Sequence, residues 1–199
     1  VGCTYKYLNG GPGSPAFLFV SNNLIDKLET PVWGWFGDDN PFAFDVDYKP
    51  ASGIRKFLVG TPPVLSLAPV SSGLDITIGA GMDNIRQKSL LQSEYLIFLA
   101  KKHLVPLGFD FGSPMDAAIR GSHISLRHEA AYRICQALIQ PEEGGYSIIP
   151  DFREPDNIRF GITPLYTTFE EIFIAVEEMA KIVAEKRFLK FDRIRTAVT

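Results

Sequence analysis

The stretch Gly2-Cys3-Thr4-Tyr5-Lys6-Tyr7-Leu8-Asn9-Gly10-Gly11-Pro12-Gly13-Ser14-Pro15 decides how the rest of the chain is read. Val1 to Leu8 reads as a buried strand, and Asn9-Gly10-Gly11-Pro12-Gly13 can only be a tight loop. A lysine at such a strand end loses hydration. Desolvation favours the neutral, nucleophilic amine, which is the form that Schiff-base chemistry needs. Local features alone leave a solvated Lys6 as the commoner outcome, because most lysines beside loops keep their heads in water.

Outward from this segment, further strings follow in order. They are Gly34-Trp35-Phe36-Gly37, Gly60-Thr61-Pro62-Pro63, Arg120-Gly121-Ser122 through Arg127-His128, and Asp151-Phe152-Arg153. Asn157-Ile158-Arg159-Phe160-Gly161 and Pro164-Leu165-Tyr166 complete the series. From about Val1 to the final helix the series resembles kynureninase, a pyridoxal-phosphate enzyme of the aspartate-aminotransferase fold, fold type I. The resemblance implies an α/β fold class in three parts. Residues 1–72 would end the large cofactor-binding domain, 73–106 would form linking helices, and 107–199 would form a small C-terminal α+β domain.

Bulk properties agree with a globular enzyme. The 199 residues can bury a core, and 46% hydrophobic with 22% charged residues is ordinary. A net charge of −3 without a basic stripe argues against a nucleic-acid partner. No apolar run reaches membrane-spanning length, and no secretory signal is visible. Cys3 and Cys135 lie far apart without CxxC spacing, which suits a reducing, cytoplasmic setting. The chain opens at Val1 inside an expected core strand, so it reads as the C-terminal half of a longer enzyme.

Strands are expected over Ala16–Val20, around Phe42–Val46, near Phe109, over Ser122–His128, near Ser147–Ile149 and over Ile158–Ile162. Up to about Ser72 these read as the tail of a parallel α/β domain. A helix is expected from Pro62-Pro63 towards Ile78, with Pro69 kinking it or delaying its start. A second should run from Asp83 to His103 with Leu91, Tyr95, Phe98 and Leu99 on its inner face. A third should cover Ala130–Ile139. The last helix begins at a capping box, Thr168-Phe169-Glu170-Glu171, and buries Phe169, Ile172, Phe173, Val176, Met179, Ala180 and Val183.

The resemblance implies roles for five residues. Lys6 would hold pyridoxal 5'-phosphate covalently and shuttle protons. Tyr5 would reach the cofactor phosphate and assist proton transfer; since adjacent strand residues face opposite ways, the strand must end or bulge there. Trp35 would contact the phosphate through an indole N–H that can only donate. The family pattern commonly has His after Trp-Phe-Gly, whereas Asp38 and Asp39 stand here, so either these carboxylates point away from a phosphate or the loop has changed role. Thr61 as N-cap, with Pro62 in the first turn, would offer a helix N-terminus to the same anion. Arg159 alternates with the apolar Ile158, Phe160 and Ile162, has Gly161 beside it, and would anchor the substrate α-carboxylate. An ion pair with a nearby carboxylate is the competing reading for Arg159.

The implied reaction is hydrolytic cleavage of the Cβ–Cγ bond of L-kynurenine or its 3-hydroxy form. Its products are L-alanine and an anthranilate, and the working unit is a homodimer with shared sites. The exposed-looking Trp33, Trp35 and Phe36 loop fits such an interface. The acidic partner of the pyridine nitrogen, the ring-stacking aromatic and the other phosphate ligands are implied upstream of Val1, so the chain alone would be inactive. Two alternatives stay open: another lyase of this fold, cysteine desulfurase-like, and a non-catalytic truncated product. The desulfurase-like reading needs a mobile reactive cysteine. His123 and His128 have poor geometry for one metal, and no metal is expected.

Overall fold

A computed structural model of the chain describes residues 1–194, so the last five residues of the expected small domain lie outside the described residues. Contacts divide the chain into two compact units, Val1–Gly79 and Ala80–Thr199. No single described helix is long and apolar enough to cross a membrane.

The first unit is poor in strands. β1 (Gly2–Cys3) pairs antiparallel with β2 (Ala16–Phe17), placing Gly2 opposite Phe17 and Cys3 opposite Ala16. No parallel pair is present among the described residues of this unit, contrary to expectation. A strand persists only where a neighbour takes its N–H and C=O groups, and β1 finds β2 alone. The expected strand over Val1–Leu8 therefore stops at Cys3, and the chain turns. The N–H of Gly10 reaches the Thr4 carbonyl at 2.9 Å, and that of Asn9 reaches the Lys6 carbonyl at 2.9 Å. Around Phe42–Val46 the chain forms turns, with Phe44 in the left-handed region at φ 55°. A short helix, α1 (Asn22–Ile25), precedes this loop.

α2 (Val64–Ala80) runs through Pro69. The Leu67 N–H bonds to the Pro63 carbonyl at 2.9 Å, which makes Pro63 the residue that opens the helix. Val70, Gly73 and Thr77 form its buried stripe at i, i+3, i+7. Val64, Leu65, Ile76 and Ile78 are exposed.

The second unit begins with α3 (Met82–His103), set off by Gly81 at φ 78°. Its buried face is Ser89, Gln92, Ser93, Leu96, Ile97, Leu99 and Ala100. Leu91 and Phe98 are exposed instead, so the expected inner face is rotated. The reason is that three buried positions are polar, each with a hydrogen-bond partner for at least one side-chain atom. The Ser89 and Ser122 hydroxyls meet at 2.7 Å, Gln92 Nε2 donates to the Thr167 carbonyl at 2.6 Å, and Ser93 Oγ accepts from Arg120 at 3.1 Å.

Four antiparallel strands follow: β3 (Asp110–Phe111), β4 (His123–Arg127), β5 (Asp151–Arg153) and β6 (Asn157–Gly161), in the order β3-β4-β6-β5. The expected strand at Ser147–Ile149 is not formed. The Ile148 N–H bonds to the Leu138 carbonyl at 2.9 Å rather than to a strand, and pairing starts at Asp151. Ile124, Leu126 and Ile158 are buried in one core with Ile134 and Leu138 of α4 (Ala131–Ile139) and Val176 and Met179 of α5 (Phe169–Ala184). The capping box of α5 is formed in both directions: Thr168 Oγ1 accepts from the Glu171 N–H at 3.1 Å, and Glu171 Oε2 accepts from the Thr168 N–H at 2.7 Å. Phe169 and Phe173 are more exposed than expected, and Ile182 joins the buried face.

Candidate functional site

In the first unit the lysine loop is seated on α2. A Cβ on Gly73 would lie 2.4 Å from the Leu8 carbonyl oxygen, and one on Gly10 would lie 3.0 Å from Val70 Cγ2. Backbone therefore meets helix where two side chains are missing. Asn9 at φ 57° and Gly11 at φ 82° make the turn, which asparagine and glycine tolerate best. Thr4 Oγ1 donates to the Pro15 carbonyl at 2.6 Å, and Ser14 Oγ donates to the Gly10 carbonyl. The backbone on either side of Lys6 is thus fixed.

Because β1 ends at Cys3, Tyr5 and Lys6 no longer alternate. Lys6 Nζ lies 5.4 Å from the Tyr5 ring centroid, within cation–π range. Both side chains are exposed. The burial expected to desolvate Lys6 is therefore not supplied by the described residues, since the strand that would have buried it is only two residues long.

Trp35 sits in a single 3-10 turn, Trp35–Gly37, with its ring edge-on to Phe36 at 4.5 Å and to Phe42 at 5.8 Å. Close packing explains both glycines of the motif. A Cβ on Gly34 would collide with the Val59 carbonyl at 1.7 Å, and one on Gly37 with the Lys56 carbonyl at 2.8 Å. Asp38 is turned into its own loop. One carboxylate oxygen accepts from the Asn40 N–H at 2.8 Å and the other from the Lys49 N–H at 3.0 Å. These backbone donors, Lys49 first, hold the carboxyl below its ordinary range. Arg55 clasps the Asp38 and Asp39 carbonyls at 2.7 and 2.8 Å. The Asp38 side chain thus becomes a loop staple, a role that the sequence reading missed; the Asp-x-Asn spacing of a side chain capping its own turn was its signal.

Thr61 is exposed and does not cap α2, because the helix opens at Pro63, two residues later. The expected N-cap with Pro62 in the first turn is corrected accordingly. Thr61 remains an accessible hydroxyl just ahead of the helix.

In the second unit, Arg159 lies on β6 directly opposite Asp151 of β5 and Ser125 of β4. Ile158 and Ile162 are buried and Phe160 is half-buried, as the alternation requires. Arg159 Nη2 donates to Asp151 Oδ2, so the ion pair weighed as the competing reading is formed. The same oxygen accepts from Arg153 Nε at 2.9 Å. A Cβ on Gly161 would meet nothing within 4 Å, leaving open space along the strand beside Arg159.

Neither cysteine suits a mobile nucleophile. Cys135 is inside α4, where burial pushes its thiol up to about 12, and Cys3 is held in β1. His128 lies just beyond β4, packed 4.6 Å from the Phe109 ring, with Nδ1 accepting from the Ala130 N–H at 2.9 Å. His123 is exposed within β4.

Comparison with known proteins gives a consistent result. Residues 85–179 match the family described as kynureninase C-terminal domain. The chain is 42% identical over 200 residues to kynureninase from Pseudomonas fluorescens, covering 100% of this chain and 47% of that protein. It is 42% identical over 198 residues to kynureninase from Geobacillus thermodenitrificans, covering 98% and 45%. The chain thus spans about half the length of the curated relatives it matches. The apo structure of cysteine desulfurase from Thermococcus onnurineus NA1 superposes with a TM-score of 0.70 at 16% identity, over 88% of this chain and 45% of that one. That likeness shows the fold, the α/β architecture expected from the sequence.

Proposed function

Since the chain is a kynureninase relative along its whole length, with that family's C-terminal domain at residues 85–179, we propose that it is the C-terminal part of a hydrolase that cleaves the Cβ–Cγ bond of L-kynurenine or 3-hydroxykynurenine. The products would be L-alanine and the corresponding anthranilate, in tryptophan catabolism. The observation that carries this reading is 42% identity over 200 residues, a match that runs the whole length of this chain and so includes all five candidate residues. The division at residues 72 and 106 belongs to the same proposal. So does a cytoplasmic location, which the two free cysteines support.

The donor set suits pyridoxal 5'-phosphate: an exposed primary amine on a braced loop, a phenol beside it, an indole N–H and a hydroxyl. The Asp38 carboxylate is turned into its own loop, where it accepts from the Asn40 and Lys49 N–H groups. When bound, that cofactor supplies an electron sink for the carbon–carbon cleavage. Lys6 Nζ would attach it and then hold and return a proton. Tyr5 would move a proton through its phenolic oxygen and reach the phosphate. Trp35 Nε1 and Thr61 Oγ1 would donate to the phosphate, and the Arg159 guanidinium would orient the substrate carboxylate. Full activity would need the remainder of the protein and a second copy of it, so this chain alone would be inactive.

Borohydride reduction of the full-length holoenzyme, followed by peptide mapping, tests the reading. The label should lie on the Tyr5-Lys6-Tyr7 peptide. A label on another lysine would overturn the assignment.

A further inference from the structure

We propose that Asp151 is the positioning residue for Arg159, fixing the guanidinium for a ligand carboxylate; this rests on the reading of Arg159 given above. The register places the two residues directly opposite on β5 and β6, and directly opposite side chains in an antiparallel pair are immediate neighbours. Asp151 is itself anchored. Its Oδ2 accepts from Arg153 Nε at 2.9 Å as well as from Arg159 Nη2, so two guanidinium groups converge on one carboxylate oxygen. Ser125, opposite Arg159 on the other side, turns its hydroxyl to Asn157 Oδ1 at 2.9 Å, so the lateral hold on the guanidinium comes from Asp151.

Two features leave this arrangement open to a second anion. Arg159 has five N–H donors in a planar fork, and the bond to Asp151 occupies one nitrogen of the three. Arg153 and Arg159 share one carboxylate, so the trio carries a net charge of +1 (two cations less one anion). Beside it, Gly161 leaves the strand surface clear. An α-carboxylate can therefore join the cluster without displacing Asp151, and Asp151 ensures that the fork is already aimed when it arrives. Preorganisation of this kind lowers the cost of binding.

The test uses the full-length holoenzyme with L-kynurenine. Arg159→Leu should raise KM by roughly tenfold to a hundredfold, the weight of a charge-assisted hydrogen bond. Asp151→Ala should raise KM by about tenfold, with kcat within about threefold of the parent and cofactor loading retained. Asp151→Asn, which keeps an acceptor oxygen, should recover most of that loss. In the Arg159→Leu background, Asp151→Ala should add nothing. If Arg159→Leu raises KM while Asp151→Ala leaves it unchanged or lowers it, the positioning role is overturned and the Arg159 reading stands. A joint loss of loading, kcat and affinity in Asp151→Ala would make the residue merely structural and also overturn the role. If Arg159→Leu leaves KM unchanged, the underlying reading of Arg159 falls with it.

Discussion

Asp38 follows Trp35-Phe36-Gly37, and each of its carboxylate oxygens accepts from a backbone N–H, of Asn40 and of Lys49. That hold has a pH consequence. The folded-state pKa is depressed below the ordinary 3.8, so the stabilisation is complete above the unfolded value and lost as pH falls through the folded one. In this chain with Trp33→Phe, leaving Trp35 as its single tryptophan, Trp35 emission should change only below about pH 4. Asp38→Asn should show weakened emission already at neutral pH and no such acid step. An acid step with a midpoint near pH 6 would assign the staple to another group. At this scale the sequence was partly legible. The alternation around Arg159 was readable, because it is a local property of one strand. Its pairing with Asp151 remained an open alternative, because register depends on a second strand. The exposure of Lys6 was not readable, since burial depends on whether a neighbouring strand is there to extend β1.

At the scale of elements, helices were read closely and strands were overextended. The α5 capping box was legible to the residue because both of its hydrogen bonds are local. The inner face of α3 was misjudged because its buried polar residues depend on partners 33 and 75 positions away. α2 supplies a direct test of how the lysine loop is held. Gly73→Ala places a Cβ 2.4 Å from the Leu8 carbonyl, whereas Gly79→Ala places one in open space on the same helix. Urea unfolding should show Gly73→Ala destabilised by about 1–3 kcal/mol, and Gly79→Ala stabilised by up to about 1 kcal/mol through helix propensity. Equal shifts in both variants would mean that the loop does not rest on α2.

For the whole molecule, the superposition at a TM-score of 0.70 and the match along the entire chain support one architecture. The long-range order of motifs made this legible, not any single motif. What stayed hidden was the first unit's lack of parallel strands, because sheet pairing is a property of the assembled chain. Exposed apolar residues such as Leu65 and Ile78 on α2 and Trp33 in the aromatic loop agree with the proposed homodimer, which would cover part of this surface. Mixing full-length Lys6→Ala and Trp35→Ala protomers should restore activity in hybrid dimers; verified subunit exchange without recovery would exclude shared sites. Product analysis tests the proposed reaction. Incubated with L-kynurenine, the full-length holoenzyme should yield L-alanine and anthranilate in equal amounts. Intact kynurenine alongside sulfur release from L-cysteine would exclude it.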